Sequence, residues 1–311
     1  VKIYTSFDEI QHIHKPVLTI GTFDGVHVGH QKIIEKVINR ANEVGGESVL
    51  FTFYPHPRMV VNATNHGIKL IQSQQEKIEK LEKLGVQHLL IIPFTKEFSE
   101  ISADDFVSVY LVKHLNIHTL IVGYDHQFGK NREGNLEFLK NKSNELSFEV
   151  LEIPAHDIDD VNVSSTKIRK AIEQGDITTA NHYLGEPFQL WGKVIHGNKV
   201  GRTIGFPTAN IQVNNQFKLI PNKGVYAVTV IFENETRCFG MMNCGNRPTV
   251  SNMEDIHIEV HLFDFQEDIY DKNIKIELHN YLRKEQRFEN IDVLIKQLQQ
   301  DEISVRAFFG I

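Results

Sequence analysis

The stretch Thr19–Val37 reads TIGTFDGVHVGHQKIIEKV. An apolar run ends at Ile20, a glycine-bearing loop follows, and a helical pattern takes over near Gly29. Ile33, Ile34, Val37, Ile38 and Ala41 recur at spacings that put them on one helical face. Strand, loop and helix in that order open a βαβ unit. Two imidazoles, His27 and His30, stand on either side of Gly29 at the mouth of the predicted helix.

Outward from this stretch the alternation continues. SVLFTF, HLLIIPF, HTLIVG and FEVLEI read as further strands. SQQEKIEKLEKLG reads as a helix that ends on Gly85, and SADDFVSVYLVKHL as one opened by a Ser102 cap. Strands alternating with helices predict a parallel sheet covered on both faces, a Rossmann-like α/β domain. In such sheets ligands sit beyond the carboxyl ends of the strands, where TFDG, YPHP, TKEF and YDHQFG all fall.

After about residue 185 the texture changes. FQLWGKVI, GVYAVTVIF, TRCFGMMN, IHIEVHLFDF and NIKIELHNYL follow one another as strands with turn residues between them. This predicts a small antiparallel β-barrel. IDVLIKQLQQDEISVRAFFG is a closing amphipathic helix, and the boundary near LGEPF divides the chain into 1–185 and 186–311.

The bulk numbers agree with two ordinary globular domains. The 311 residues are 41% hydrophobic and 23% charged, with net charge −7. That balance argues against nucleic-acid binding by charge alone. No apolar run approaches the roughly 18 residues of a membrane span, and the N-terminal residues have no signal-peptide core. Two cysteines, Cys238 and Cys244, make no disulfide framework. The expected location is the cytoplasm, with reduced thiols. A homo-oligomer is left open.

A helix N-terminus with free N–H groups favours phosphate, imidazoles there can donate to phosphate oxygens, and a glycine lets the backbone approach. His27-Val28-Gly29-His30 therefore suits phosphoryl chemistry. Two helix-capping histidines, or two ligands of a zinc ion with a third elsewhere, are the alternative readings. VSSTKIRKAIEQGD, Val163–Asp176, supplies a second hydroxyl-rich helix start with Lys167 and Arg169, again phosphate chemistry or plain capping by Ser164 or Ser165.

Together, HxGH after the first strand and SSTxIR near the end of the domain resemble the HxGH nucleotidyltransferases. GTFDGVHVGH, FTFYPHP, VGYDHQFG and VSSTKIR, across residues 15 to 175, are similar to the adenylyltransferase module of the bacterial bifunctional riboflavin kinase/FAD synthetases. The resemblance implies that His27 and His30 meet the ATP phosphates, with Gly21, Phe23 and Gly29 in the same binding loop. It implies that Ser165, Thr166 and Arg169 meet the β- and γ-phosphates. His56, Asp125 and His126 would line the flavin and nucleotide cleft. The family commonly has an aromatic residue where this chain has His126, whose planar ring can also stack on a flavin.

The second half has its own chemistry. In GRTIGFPTANI, Thr208 and Asn210 could both face one hard cation, or cap a proline turn. In IHIEVHLFDF, the apolar Ile256, Ile258, Val260 and Leu262 alternate with His257, Glu259 and His261. A half-buried strand would turn Glu259 away from the main core, as a proton acceptor or as one residue of a solvated face. GKVIHGNK lacks the Lys-Ser/Thr ending of a Walker A loop.

GKVIHGNKVGRTIGFPTANI, GVYAV, MNCGNRPTV, IEVHLFDF and YLRKEQRF resemble the riboflavin kinase module over 186–309. The resemblance implies that Thr208 and Asn210 hold Mg²⁺ with ATP, that Glu259 is the catalytic base, and that Arg283 and Arg287 lie near phosphate or flavin. The implied enzyme phosphorylates riboflavin to FMN in its C-terminal domain. It then joins FMN to the adenylyl group of a second ATP in its N-terminal domain, giving FAD and pyrophosphate. Its partners are small molecules, with neither nucleic acid nor membrane. A chain with one working half, or a flavin sensor on an inactive enzyme fold, would carry the same motifs.

Overall fold

The computed structural model describes residues 1–61, 68–124, 126–154, 163–197, 200–246 and 256–311. The chain forms two compact units, Val1–Ser165 and Thr166–Ile311.

The first unit is built on six parallel strands: β1 (Lys2–Tyr4), β2 (Pro16–Ile20), β3 (Glu47–Tyr54), β4 (His88–Pro93), β5 (Thr119–Gly123) and β6 (Glu149–Ile153). Their spatial order is β1-β4-β3-β2-β5-β6. The winding therefore runs outward from β2 to β4 and then returns to β2's other side at β5. This reversal opens a crevice beyond the carboxyl ends of β2 and β5. All five residues of β2 are buried, as both faces of the sheet carry apolar clusters. The edge strand β1 was not anticipated, because three residues are too few to show alternation.

Helix α1 (Val28–Val44) buries Ile34, Val37 and Ala41 against the sheet. Helix α2 (Gln74–Lys83) starts from a capping box in which Ser73 and Glu76 satisfy each other's backbone N–H. Ser102 caps a short turn, Ala103–Asp105, and Phe106–His114 continues as a π-helix rather than as one α-helix. Helix α3 (Leu136–Leu146) precedes β6.

The second unit is a closed antiparallel barrel of β7 (Phe188–Ile195), β8 (Ala209–Val213), β9 (Gly224–Phe232), β10 (Arg237–Asn246), β11 (Ile256–Leu262) and β12 (Asn273–Arg283). The order around the barrel is β10-β11-β8-β7-β12-β9. Helix α4 (Ser165–Gln174) and helix α5 (Ile177–Leu184) precede it. Asn181 donates to the Leu278 carbonyl at 2.8 Å and accepts from the Phe188 N–H at 2.7 Å, so α5 is tied to β12 and β7. Residues 166–184 thus pack with the barrel, although the change of texture in the sequence comes near 185. That change marks a switch of secondary structure, and packing follows different partners.

Helix α6 (Ile291–Phe309) lies on the barrel through Phe206, Val225, Met241, Phe263 and Val305. Cys238 and Cys244 are both free, and burial pushes the Cys244 thiol up to about 12.

Candidate active sites

The loop between β2 and α1 is held by many bonds. Phe23 (φ 46°) and the β-branched Val26 (φ 37°) are in the left-handed region, which costs energy for such residues. Lys77 of α2 donates to the Thr22 carbonyl at 2.8 Å, and the Thr52 hydroxyl donates to the same oxygen at 3.2 Å. The Asp24 carboxylate accepts from the Ile71 N–H at 3.0 Å, while its carbonyl accepts from the Ser165 hydroxyl at 2.8 Å. Gln31 donates to the Val26 carbonyl at 2.9 Å.

This loop delivers His27 as the N-cap of α1, its Nδ1 accepting from the His30 N–H at 3.3 Å. The two rings stack at 3.6 Å and 17°. Gly29 leaves little room for a side chain: a Cβ there would come within 3.2 Å of Val163 and 3.3 Å of the His27 ring, so its neighbours would have to give by a few tenths of an ångström. The buried Phe23 sets its ring against His30 at 5.1 Å, edge to face, so its side chain supports the imidazole.

Burial, and then the Lys80 charge, hold His27 down at about 4, against an opposing pull from Asp24. His30 lies well below its ordinary value, through burial first and then His27, Lys77 and Lys80. Both rings are therefore neutral near pH 7. With Nδ1 of His27 accepting a backbone N–H, its proton sits on Nε2, which is left as a donor. His30 Nδ1 is buried without a hydrogen-bond partner. Neutral donors on a helix N-terminus can orient phosphate oxygens but carry no full charge to offset them.

Sequence reasoning missed the buried cations beneath this loop. Lys77 and Lys80 are 6% and 7% exposed, and burial brings Lys77 down to about 8. The available signal was weak: Lys77 and Lys80 share the buried face of α2 with Glu76 and Leu81, a mixture that periodicity alone does not mark as buried.

The other expected residues fall as follows. Gly21 directly follows β2, with Phe23 packed over it. His56 is half-buried, and its Nδ1 accepts from the Arg58 N–H at 3.2 Å. His126 follows β5 and stacks on Phe128 at 5.8 Å. Asp125 lies outside the described residues. Ser165 is the first residue of α4; Thr166 is exposed on its first turn and Arg169 half-buried one turn later, both in the second unit. Among the described residues no group of three or more His, Cys, Asp or Glu could hold a metal ion, so the zinc reading gains no support.

In the barrel, β11 is a wall between two cavities. One, of about 400 Å³, is lined by Glu259 and His261 together with Phe206, Met241, Asn243 and Phe288. The other, of about 440 Å³, is lined by Val260 and Leu262 together with Arg202, Pro207, Phe265 and Tyr270. Strand alternation sends odd residues to the first and even residues to the second. Thr208, just before β8, lines both.

Register puts Glu259 directly opposite Asn210 of β8 and Asn243 of β10, so the three form a polar row on one face. Asn210 is 5% exposed, and its Oδ1 is buried without a hydrogen-bond partner. A Cβ at Gly197 would overlap the Asn210 amide, so glycine there makes room for it. His261 Nδ1 donates to the Pro207 carbonyl at 2.8 Å and so pins the turn that carries Thr208.

Arg283 lines the Glu259 cavity, but its guanidinium is engaged by Asp301 of α6, with Nη2 to Oδ2 at 2.6 Å. Arg287 is exposed and lines neither cavity.

Comparison with known proteins bears on both units. The family model described as FAD synthetase matches residues 9–167, and that described as riboflavin kinase matches residues 184–309. A crystal structure described as a macrolide-efflux protein from Streptococcus pneumoniae is similar with a TM-score of 0.89 and 31% identity, over 98% of both chains. The bifunctional riboflavin kinase/FMN adenylyltransferase of Listeria monocytogenes is 40% identical over 97% of this chain and 95% of its own. The proteins of that description from Haemophilus influenzae and Escherichia coli are 38% and 37% identical, over 94% and 95% of this chain and 94% and 93% of theirs. With two family models in this order along one polypeptide, and relatives matched over nearly their full length, the chain belongs to the bifunctional riboflavin kinase/FMN adenylyltransferase family.

Proposed function

We infer that the chain carries out two reactions in sequence, phosphorylation of riboflavin to FMN and adenylylation of FMN to FAD, each with its own ATP. The observation that carries the kinase half is the wall of β11: two cavities separated by one strand and joined at Thr208. The Glu259 cavity has the apolar lining a flavin ring requires, from Phe206, Met241 and Phe288. The other has Arg202 for a nucleotide phosphate. The riboflavin 5′-oxygen attacks the γ-phosphorus, the bond to the β-phosphate oxygen breaks, and the hydroxyl proton passes to Glu259.

Thr208 and Asn210 fit Mg²⁺, a hard cation that takes oxygen ligands, because the Asn210 Oδ1 is buried with its acceptor capacity unused. Mg²⁺ bound there would offset negative charge on the phosphate oxygens. Arg283 shapes the flavin cavity while paired with Asp301, and the exposed Arg287, outside both linings, is given no ligand contact.

In the first unit, the FMN phosphate attacks the α-phosphorus of ATP and pyrophosphate leaves. The attacking oxygen is already anionic, so the step needs orientation and not a base. The Nε2–H of His27 and the ring of His30 orient phosphate oxygens at the N-terminus of α1, with Gly21 and Gly29 allowing close approach. Ser165, Thr166 and Arg169 are assigned to the leaving pyrophosphate, and Asp125, His56 and His126 to the flavin side. Lys77 and Lys80 supply the positive potential that neutral imidazoles lack.

The division of labour is assigned to 185/186, inside the second family match, which starts at residue 184 after the first ends at 167, while folding of the kinase half calls for α5 as well. A fragment beginning at Thr166 is expected to make FMN and no FAD, and to melt above one beginning at Glu186. The reducing cytoplasm is the location consistent with free Cys238 and Cys244. Among the described residues no helix is long and apolar enough to cross a membrane.

The deciding experiment incubates the protein with riboflavin, ATP and Mg²⁺ and resolves flavins by chromatography. FMN followed by FAD supports the reading. FMN alone reduces it to a kinase, FAD only from supplied FMN reduces it to an adenylyltransferase, and neither product overturns it.

A further inference from the structure

His257 stands two residues before Glu259 on β11, outside the lining of either cavity. Residues i and i+2 of a strand share a face but are held apart by the rise of two residues, about 7 Å, so their side chains meet only if one leans along the strand. Here they do meet: His257 Nε2 lies 2.8 Å from Glu259 Oε1. The residue directly opposite His257 on β10 is Gly245, and the space its missing side chain leaves is taken by the Glu285 carboxylate, whose Oε1 would overlap a Cβ there.

The pair is poorly placed to hold the fold together. The side chains are 24% and 34% exposed, and ion pairs with that much solvent contribute little stability. What the contact does fix is orientation. The terminal torsion of a glutamate is soft, with broad, roughly two-fold preferences. An ionised carboxylate only accepts, so the proton of this hydrogen bond is on His257 Nε2. The bond occupies Oε1 and leaves Oε2 to receive a proton.

We propose that His257 is a positioning residue for the kinase reaction, orienting the Glu259 carboxylate so that Oε2 faces the riboflavin 5′-hydroxyl. The proposal rests on Glu259 being the base of the kinase half. His257 touches neither substrate nor phosphate, and its contribution is to turnover through geometry, where small misplacements cost large factors in rate.

The test uses the full-length protein with His257→Phe, which keeps a ring but removes the donor, and His257→Gln, whose amide N–H can reach the same oxygen. FMN formation is followed for kcat and riboflavin KM, FAD formation from supplied FMN serves as an internal control, and melting is recorded. The expected result for His257→Phe is a fall in kinase kcat on the order of tenfold. KM, FAD formation and melting should stay near parental values, and His257→Gln should recover most of the rate. In a Glu259→Gln background, His257→Phe should have no further effect, because the group it orients has lost its function. Parental kcat in His257→Phe, a loss that glutamine does not rescue, or the same loss in the Glu259→Gln background would each overturn the proposal. Parental kcat in Glu259→Gln alone would instead remove the base assignment beneath it.

Discussion

His27 is 6% exposed and sits on a strained loop with buried charges under it, whereas the Glu259 side chain is 34% exposed on a regular strand. Both regions are assigned to ATP in the proposed reading, yet they are built differently. In the first unit the imidazoles are neutral because burial and nearby lysines make protonation costly. Their value lies in fixed direction, and rigidity comes from bonds to Thr22, Asp24 and Val26. In the barrel Glu259 stays close to solvent while Asn210 and His261 are buried, and precision comes from strand register and from single hydrogen bonds such as His261 to Pro207. The difference follows from the chemistry: adenylyl transfer needs orientation of anions that already exist, while the kinase must also accept a proton.

The sharpest way to break this contrast is Glu259→Gln. Loss of a general base typically costs about 10²–10⁴-fold, so FMN formation should fall by that order while FAD formation from supplied FMN continues. Parallel rate assays of the two half-reactions decide it, and equal losses in both would dissolve the distinction between the sites.

The converse variant is His30→Ala. Removing one positioned donor from a transition state costs about 10²–10³-fold, so FAD formation should drop in kcat while the kinase is untouched. If His30 serves only the helix cap, the loss appears as roughly 1 kcal/mol or less of stability with parental turnover.

Acid should separate the regions too. His27 has a folded value of about 4, below its ordinary 6.5. The unfolded chain thus binds a proton in a range where the folded chain does not. The stability from the neutral ring is whole above about pH 6.5 and is lost as pH falls toward 4, up to about 3 kcal/mol. Melting temperatures from pH 7 to 4 should fall less steeply in His27→Gln, which keeps an acceptor without this titration. Equal slopes would mean that the buried ring does not stay neutral.

The smallest effect is expected from Lys77→Met. It removes one bond to the Thr22 carbonyl, worth about 1–1.5 kcal/mol, so FAD formation should slow about tenfold with the kinase unaffected. Unchanged FAD synthesis would relieve α2 of any part in positioning the loop.

Much of this was legible in the sequence. Alternation of apolar runs with the Ile33, Ile34, Val37 periodicity gave a parallel sheet, and IHIEVHL placed Glu259 on the face away from Ile258 and Val260, because side-chain direction in helices and strands is a local property. The motifs nominated both candidate sites by residue type: HxGH where a strand meets a helix, and Thr208 and Asn210 before and within β8. What only the tertiary structure decided was which distant groups meet them. Lys77 and Lys80 lie some fifty residues from His27, and nothing in their helix says that the face they occupy is covered by the TFDG loop. The neutrality of the imidazoles follows from that cover. In the barrel, alternation places Glu259 on a face but not opposite Asn210 and Asn243, nor does it bring His257 into a hydrogen bond with Glu259. Those are questions of register and closure, fixed when strands far apart in the chain pair, and local pattern carries no information about them.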